Sequence, residues 1–517
     1  MSITMEEVAR HGADAKEKWI VVSNEVFDVT NFLDLHPGGR LLLEEVLGKD
    51  ATKQFELYHH EDVLRKYRPK MKIGEVGSGP PRPAVTPFAN PIWYREKLSS
   101  PYYKQTHVVF RDRVRRFVDT ELLPRLSEWE LKARPPAFIM KRMGEEGFLA
   151  CLCHTKDFPR QYVDPGTPEP EDFDAFHELI LLDELTRCGN GSVLAALTNG
   201  PAIALSTLFL AGTDDLRTRV CRDVLMGRKF IALAISEVSA GSDVAGLSTV
   251  ARRGPGGDFV LRGTKKWITN AFYADYLVTA ARTPDTTKPA VAATSLFLVE
   301  VEPNKDKIFI RKVGLEPRAN IAGTSFIELN DVHVPAGNLI GMENEGFKLI
   351  MSNFNSERLY VSVICNRLAR ICVEESFKFA QKRRTFGKRL VDHDVPRMKL
   401  AQMATRVEQH QAWLESAFYQ CNVLSKETAN AQLGDLCCGI MAASADVLEF
   451  CASETTHIFG GNSLDSRSVG KKISGMAEAV KAYHVPAGET LIMYLHMAKL
   501  ALKRASHETR RQRNARL

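Results

Sequence analysis

The stretch FLDLHPGGRLLLEE, residues 32–45, places a histidine and a turn in front of a leucine-rich helical pattern. Pro37, Gly38 and Gly39 predict a tight turn, because proline fixes φ and glycine accepts conformations that other residues avoid. A turn alone does not require His36. This histidine is therefore either a surface or helix-entry residue, or a metal ligand.

The sequence around this turn resembles the cytochrome b5 family, over residues 19–40 and the following GKDATKQFELYHHEDVLRKY. The resemblance implies a small α+β domain that binds haem b, with His36 and His60 as the two ligands of the iron. His59 is an alternative second ligand, because a one-residue shift of its helix would exchange the two histidines. A degenerate module that no longer binds haem is the remaining interpretation. Two axial imidazoles leave no open position on the iron, so the module is expected to carry electrons.

The size of the chain predicts several domains, because 517 residues exceed what one hydrophobic core usually holds. A hydrophobic fraction of 44% and a charged fraction of 26% are typical of soluble proteins. The ten cysteines show no disulfide or metal spacing, which favours reduced thiols in an intracellular protein. No secretory signal, transit peptide or membrane-spanning window is expected.

The charge of the chain is unevenly placed. The net charge is +6, and residues 502–517 carry six basic side chains against Glu508. The rest of the chain is close to neutral, so we expect no broad nucleic-acid-binding face.

The segment VGSGPPRPAVTPFANP, residues 76–91, is rich in proline and glycine and predicts a linker. Helical patterns follow it, then strand patterns, then long helical patterns. The predicted organisation is a haem-binding domain at 1–77, a linker at 78–92, a helical domain at 93–230, a β-domain at 231–338, a helical bundle at 339–503 and a basic tail at 504–517.

Four motifs after the linker resemble the acyl-CoA dehydrogenase superfamily: ALAISEVSAGSDVAGLSTVARR, GTKKWITNAFYADYLVTAART, KRRTFGKRL and HIFGGNSLD. The resemblance implies a helical domain, a β-domain and a helical bundle that bind FAD and convert an acyl-CoA to a trans-2-enoyl-CoA. It also implies that the last two motifs hold the flavin nucleotide, usually of a neighbouring subunit. The implied cofactor-binding residues are Ser236, Ser242, Trp267, Ile268, Thr269, Arg383, Phe386, His457, Gly460 and Gly461, and the implied substrate-binding residues are Ser242 and Arg358.

Two positions depart from the family pattern. Ser236 stands where the family commonly has threonine, and His457 stands where it commonly has glutamine. Both side chains can still form hydrogen bonds, so FAD binding is expected to persist.

The catalytic base is predicted at Glu357. Many family members carry this glutamate where the chain has Ala487, which cannot accept a proton, but one branch of the family carries it in an ERL segment, as in NFNSERLYVSVICNRLARI. Glu357 lies on an apolar stripe of the predicted helix, where a carboxylate is either paired or raised in pKa. One alternative is a structural ion pair between Glu357 and an arginine such as Arg384. The others are that Glu489 is the base, or that the chain has no base.

The resemblances leave the electron acceptor open between an electron-transferring flavoprotein, O₂ and another redox protein. The rival functions are an acyl-CoA oxidase and a flavoprotein of the same fold without dehydrogenase activity. A homodimer or homotetramer is expected. The terminal Ala515-Arg516-Leu517 resembles a peroxisomal address, with a cytoplasmic or mitochondrial location as the alternative.

Overall fold

The computed structural model describes residues 2–59, 61–76, 86–95, 97–132, 137–284, 293–315, 320–465, 469–485 and 488–514. The chain divides into two compact units. The first unit contains 1–90, 370–405 and 451–477, and the second contains 91–369, 406–450 and 478–517.

The N-terminal module is a four-stranded sheet with four helices. Its strand order is β1-β4-β3-β2, and a core of aliphatic and aromatic side chains packs below the sheet. The elements are β1 Ser2–Ile3, α1 Met5–Arg10, β2 Trp19–Val22, β3 Glu25–Asp28, α2 Arg40–Glu44, α3 Thr52–Tyr58, α4 Glu61–Met71 and β4 Lys72–Val76.

Between the linker and the next sheet, the described residues form seven α-helices. Polar side chains cap several of them, as where Asp174 accepts a hydrogen bond from the Phe176 N–H at the start of α8. The helices are α5 Gln105–Phe117, α6 Leu126–Lys132, α7 Ala137–Glu145, α8 Ala175–Leu185, α9 Gly191–Asn199, α10 Ser206–Ala211 and α11 Asp214–Leu225.

The middle of the chain forms an eight-stranded sheet with the order β10-β11-β7-β6-β8-β9-β12, and β5 pairs with β8. The central strands β8 and β9 are buried along nearly their whole length. The strands are β5 Ile231–Ala234, β6 Val250–Arg253, β7 Phe259–Ile268, β8 Tyr276–Arg282, β9 Thr294–Glu300, β10 Ile308–Lys312, β11 Ser325–Val334 and β12 Leu339–Ile340.

In the described residues, long and short helices form the remainder, together with one short hairpin. The elements are α12 Gly346–Lys382, β13 Arg384–Thr385, β14 Lys388–Arg389, α13 Asp394–Val423, α14 Lys426–Gln432, α15 Gly434–Phe459, α16 Lys471–Ser474, α17 Met476–Tyr483 and α18 Thr490–Asn514. The predicted fold class is confirmed. Helix α18 continues through residues 504–514 of the predicted tail, where alanine, arginine, glutamate and glutamine favour a helix.

Two helical stretches, Gly191–Ala211 and Gly434–Leu464, are long and apolar enough to cross a membrane by length and composition. The expectation that no window approaches this composition was therefore too strict. These windows are 78% and 67% buried inside the structure, as core helices are. Nine of the ten cysteines are also buried, and Cys421 is half-buried.

Candidate active site and haem site

The turn after His36 fixes the orientation of its ring. The Nδ1 atom lies 2.9 Å from the Gly39 carbonyl oxygen, which can only accept, so Nδ1 donates and Nε2 is left for a metal. Gly39 has φ +89°, and a Cβ on Gly38 would lie 2.9 Å from Cε1 of His36. The two glycines therefore have different roles: Gly39 permits the backbone turn, and Gly38 leaves room for the imidazole.

His59 faces His36 in the same pocket. The ring centroids are 5.8 Å apart with an interplanar angle of 75°. Because an imidazole nitrogen binds a transition metal at about 2 Å, two rings at this separation can flank one ion. Burial, followed by the proximity of His36, lowers the pKa of His59 and favours the neutral, ligating form. His60 lies outside the described residues, so the choice between the two histidines stays a prediction.

The surface around this pocket is apolar and uncovered. Leu35 is 71% exposed and Leu41 is 76% exposed, and Cδ1 of Leu42 would lie within 3.4 Å of a Cβ on Gly38, next to the His36 ring. Such uncovered leucines mark a binding surface. A flat apolar ligand with a central metal fits this combination of leucines and an imidazole.

Glu357 lies within α12, in the second unit. The residue is half-buried, and its Oε2 is buried without a hydrogen-bond partner within the described residues. Burial raises the pKa of Glu357 to about 7, against the lowering effect of Arg358 and His154. Arg384, the arginine considered as an ion-pair partner of Glu357, donates to the Gly387 carbonyl at 3.0 Å. Within the described residues we find no ion pair for Glu357, and an unpartnered carboxylate with a raised pKa is typical of a functional site.

Arg358 follows Glu357 and is also buried, with 6% of its surface exposed. Its Nη1 donates to Asn355 Oδ1 at 3.0 Å, while its buried Nε has no partner in the described part of the chain. A buried guanidinium with a spare donor can still bind an acceptor.

His154 is a residue that the sequence analysis did not identify. Its Nδ1 lies 2.7 Å from Glu178 Oε1, and its Nε2 is buried with no hydrogen-bond partner among the described residues. Its proximity lowers the pKa of Glu357. Nothing in the segment CLCHTKDF marks this histidine, because Glu357 and Glu178 reach it only in the folded chain.

Helix α12 is fixed against α9 beside this group. The hydroxyl of Tyr360 lies 2.5 Å from Thr198 Oγ1 and donates to Asn199 Oδ1 at 2.6 Å. These bonds hold the turn of α12 that follows Glu357, so they limit how far its carboxylate can move.

The predicted flavin edge forms where the loop after β5 meets the end of β7. The Lys266 N–H donates to the Ser236 carbonyl at 2.9 Å and brings Ser236 next to Trp267. Trp267 is 51% exposed and has φ +67°, an unusual conformation for a bulky residue. Thr269 is half-buried, whereas Ser242 is exposed on the loop. The side chain of Ile268 belongs to the hydrophobic core, so only its backbone is available to a cofactor.

A buried ion pair holds the loop that carries Ser236 and Ser242. Lys265 Nζ lies 2.8 Å from Glu237 Oε1, and both side chains are almost fully buried. Glu237 also accepts hydrogen bonds from the backbone N–H groups of Ser248 and Thr249. Burial opposes its ionisation, but Lys265 and these hydrogen bonds lower its pKa. The sequence analysis missed this pair, although a lysine in the middle of a strand was an available signal.

The second set of predicted flavin residues lies in the first unit. Phe386 is 96% exposed with φ +48°, and Arg383 is exposed beside it. His457 is exposed, with Nδ1 3.5 Å from Lys399 Nζ. A Cβ on Gly460 or Gly461 would meet no atom within 4 Å. This exposed cationic and aromatic set suits a ligand that carries phosphate and a ring.

Glu489, the alternative base, has a structural partner. Its Oε2 accepts from the Ile492 N–H at 3.0 Å, at the start of α18. Ala487 lies outside the described residues.

Among the described residues, two other groups of side chains bring possible metal-ligand atoms close together. In one, His107, Asp174 and His177 bring their ligand atoms within 4.8 Å of one another. The Nδ1 atoms of both histidines accept backbone N–H bonds, at 2.9 Å and 3.1 Å, and His107 Nε2 contacts Asp174 Oδ1 at 3.0 Å. This group therefore serves as paired helix caps. The other group, formed by Asp446, Glu449 and His484, lies at the surface.

Comparison with known proteins agrees with both parts of the chain. The model of the cytochrome b5-like haem/steroid binding domain matches residues 4–77. The models of the N-terminal, middle and C-terminal acyl-CoA dehydrogenase domains match residues 104–228, 232–332 and 344–502. An acyl-CoA dehydrogenase of Alternaria alternata, AFT10-1, is 31% identical over 79% of this chain and 94% of its own length. The chain belongs to the acyl-CoA dehydrogenase family.

Other relatives agree with this membership. The acyl-CoA dehydrogenase apdG of Emericella nidulans is 32% identical over 80% of this chain and 95% of its own length. The crystal structure of an acyl-CoA dehydrogenase from Geobacillus kaustophilus covers 78% of this chain and 99% of its own, with a TM-score of 0.69 and 24% identity, and supports the fold. This dehydrogenase has FAD and haem b as its cofactors. The exposed Trp267 fits the flavin, and the His36 pocket fits the haem.

Proposed function

We propose that this dehydrogenase forms a trans-2-enoyl-CoA from an acyl-CoA, with Glu357 as the base that removes the Cα proton. The observation that carries this proposal is the buried Glu357 Oε2, which has no hydrogen-bond partner in the described residues. A carboxylate with a pKa of about 7 can accept a proton near neutral pH. Bound FAD would supply the acceptor for the Cβ hydride, so that the substrate would lose one proton to Glu357 and one hydride to the cofactor.

Neighbouring residues are assigned supporting roles. Arg358 keeps a buried Nε donor beside the base, which suits orientation of the substrate. Ser242, exposed on the loop after β5, suits contact with the substrate as well as the cofactor. Glu489 is engaged at the start of α18, which disfavours it as the base.

Dye reduction with acyl-CoAs of several chain lengths tests the assignment. We expect Glu357→Gln to lower kcat by about 10²–10⁴-fold while FAD stays bound, because a positioned base contributes that range. Glu489→Gln is the matched control and should stay near wild type. Loss of turnover in Glu489→Gln with retention in Glu357→Gln would reverse the assignment.

We further propose that the haem module receives the electrons removed from the substrate and passes them to an external acceptor. His36 together with His59 or His60 would hold the haem, two imidazole ligands would leave no site for O₂ and suit one-electron transfer, and the covalent tether would keep the module at high effective concentration. Anaerobic stopped-flow spectroscopy tests the relay. Haem bands that never shift after acyl-CoA bleaches the flavin would contradict it, and peroxide formation in air would instead indicate an oxidase.

Assembly and location remain predictions. A homodimer or homotetramer would cover the exposed Phe386, and size-exclusion chromatography with light scattering would measure the mass.

The peroxisomal prediction relies on Ala515-Arg516-Leu517, which lies outside the described residues. We expect a fluorescent protein carrying the last residues of the chain to enter peroxisomes, and to lose that location when Leu517 is removed.

A further inference from the structure

Two ion pairs join the haem module to the helical segments of the first unit. Lys382, the last residue of α12, pairs with Glu56 of α3. Lys471, the first residue of α16, lies with Nζ 3.7 Å from Asp62 Oδ2 of α4. In both pairs the acid belongs to the haem module and the lysine to the dehydrogenase part.

The end of the linker is seated on the same segments. The Phe88 ring stacks on Phe377 of α12, with ring centroids 5.9 Å apart. The Phe88 carbonyl accepts a hydrogen bond from Arg370 Nη1 at 3.2 Å. The described end of the linker is therefore anchored on α12.

The four charged residues have a defined relation to the cofactor residues. Glu56 and Asp62 lie on either side of His59 and His60 in the sequence, so both acids flank the predicted second haem ligand, whichever of the two histidines it is. Lys382 directly precedes Arg383, and Lys471 follows the turn that begins at Gly460. The contacts thus join the haem-binding edge of the module to the two segments that carry the predicted flavin-nucleotide residues.

We propose that Glu56 and Asp62 form a docking surface that holds the haem module on Lys382 and Lys471, next to the flavin-binding segments. This inference rests on the proposed electron relay, and it assigns the relay a specific contact within the chain. All four side chains are partly exposed, between 23% and 41%. Exposed pairs contribute little stability, so the docked state is sensitive to salt and can release.

Zero-length carbodiimide cross-linking tests the docking without any mutation. The reagent joins a carboxylate to an amine that is already in contact, so we expect peptides that link Glu56 to Lys382 in the wild-type holoenzyme at low salt. The same peptides should decrease at high salt and disappear in Glu56→Lys. Absence of this link in the wild type at low salt would overturn the proposal.

Charge reversal tests what the docking does. We expect Glu56→Lys combined with Asp62→Lys to slow haem reduction by acyl-CoA about 10-fold or more at low salt, because complementary charges raise encounter rates. Dye reduction should stay unchanged, since both residues lie outside the dehydrogenase site. Asp14→Lys, an exposed acid of the same module, is the matched control.

A charge swap completes the design. Glu56→Lys combined with Lys382→Glu should restore both the rate of haem reduction and the cross-link between positions 56 and 382. The amine then lies in the haem module and the carboxylate at the end of α12. Equal rates in the wild type and the double reversal would contradict a function for the docking surface. A wild-type enzyme that forms the Glu56–Lys382 link but never reduces its haem would keep the docking and overturn the relay, so the two proposals fail separately.

Discussion

Glu357 has to be deprotonated to act as a base, and its surroundings oppose that state. Burial raises its pKa to about 7, so the carboxylate form is lost as the pH falls through neutrality. We expect kcat/KM to rise with pH and to level off above about 7. The pH profile of dye reduction measures this limb, and a limb near pH 4.5 would show that the carboxylate is solvated in the enzyme.

The same burial affects stability. Because the folded pKa of Glu357 exceeds its unfolded value of 4.5, the group favours folding below that value, and this contribution is lost as the pH rises through about 7. We expect Glu357→Gln to raise Tm relative to the wild type at pH 8 and to change it little at pH 4.5–5. Differential scanning fluorimetry at the two pH values measures this, and equal differences at both would contradict the buried charge.

His154 should tune this base without contacting the substrate. Its proximity lowers the pKa of Glu357, so its removal should move the acidic limb of kcat/KM to higher pH. We expect His154→Ala to shift the limb, and Glu178→Gln to change it less, because the imidazole remains. A lower kcat with an unmoved limb would indicate a purely structural role.

Residues near one another in sequence were easier to predict than residues joined by the fold. The three- and four-residue spacing around Glu357 placed it on a buried helical face, and the structure agrees. The pairing of His154 with Glu178 depends on how α8 packs, so no local pattern contained it.

At the scale of elements, the loop between β5 and β6 depends on the buried Lys265–Glu237 pair. Removing one member leaves an uncompensated charge, which typically costs about 3–5 kcal/mol. We expect Lys265→Met to lower stability by roughly that amount and to weaken FAD binding, since Glu237 holds Ser248 and Thr249. Urea unfolding and FAD titration measure the two effects. Lys266→Met, at the half-buried neighbouring position, is the control for the unfolding measurement, and an equal loss of stability there would contradict the role of the pair.

Elements with a clear hydrophobic periodicity could be predicted from the sequence. Their roles in the candidate sites could be predicted only in part. The alternation in β7 and the long apolar repeats of α12 indicated a strand and a helix. The left-handed backbone at Trp267 could not be predicted, because it lies where the end of β7 meets the Ser236 loop, a contact between segments far apart in the sequence.

At the scale of the whole molecule, the two cofactor sites should be separable by mutation. His36→Ala should remove haem and leave FAD reduction by acyl-CoA in place, because the two sites use different residues. His60→Ala should abolish the bis-imidazole optical spectrum and His59→Ala should keep it. The opposite outcome would assign the second ligand to His59, whose ring faces His36.

The order of the modules followed from motifs that each lie within a short stretch of chain. The contact of the haem module with α12 and α16 could not be predicted from such motifs, because the Glu56–Lys382 and Asp62–Lys471 pairs join residues far apart in the sequence. Surface charges of this kind have no periodic signature.

The interior position of the native thiols has a practical consequence for following the motion of the haem module. Burial raises the pKa of Cys151, Cys153, Cys365 and Cys437, so these sulfurs resist maleimides and mild oxidants. Cys421 is half-buried, and replacing it with serine would leave a nearly silent background. Paired spin labels or fluorophores on cysteines introduced at the exposed neighbours Gln54 and Gln381 would leave the Glu56–Lys382 pair in place and report docking and release during turnover.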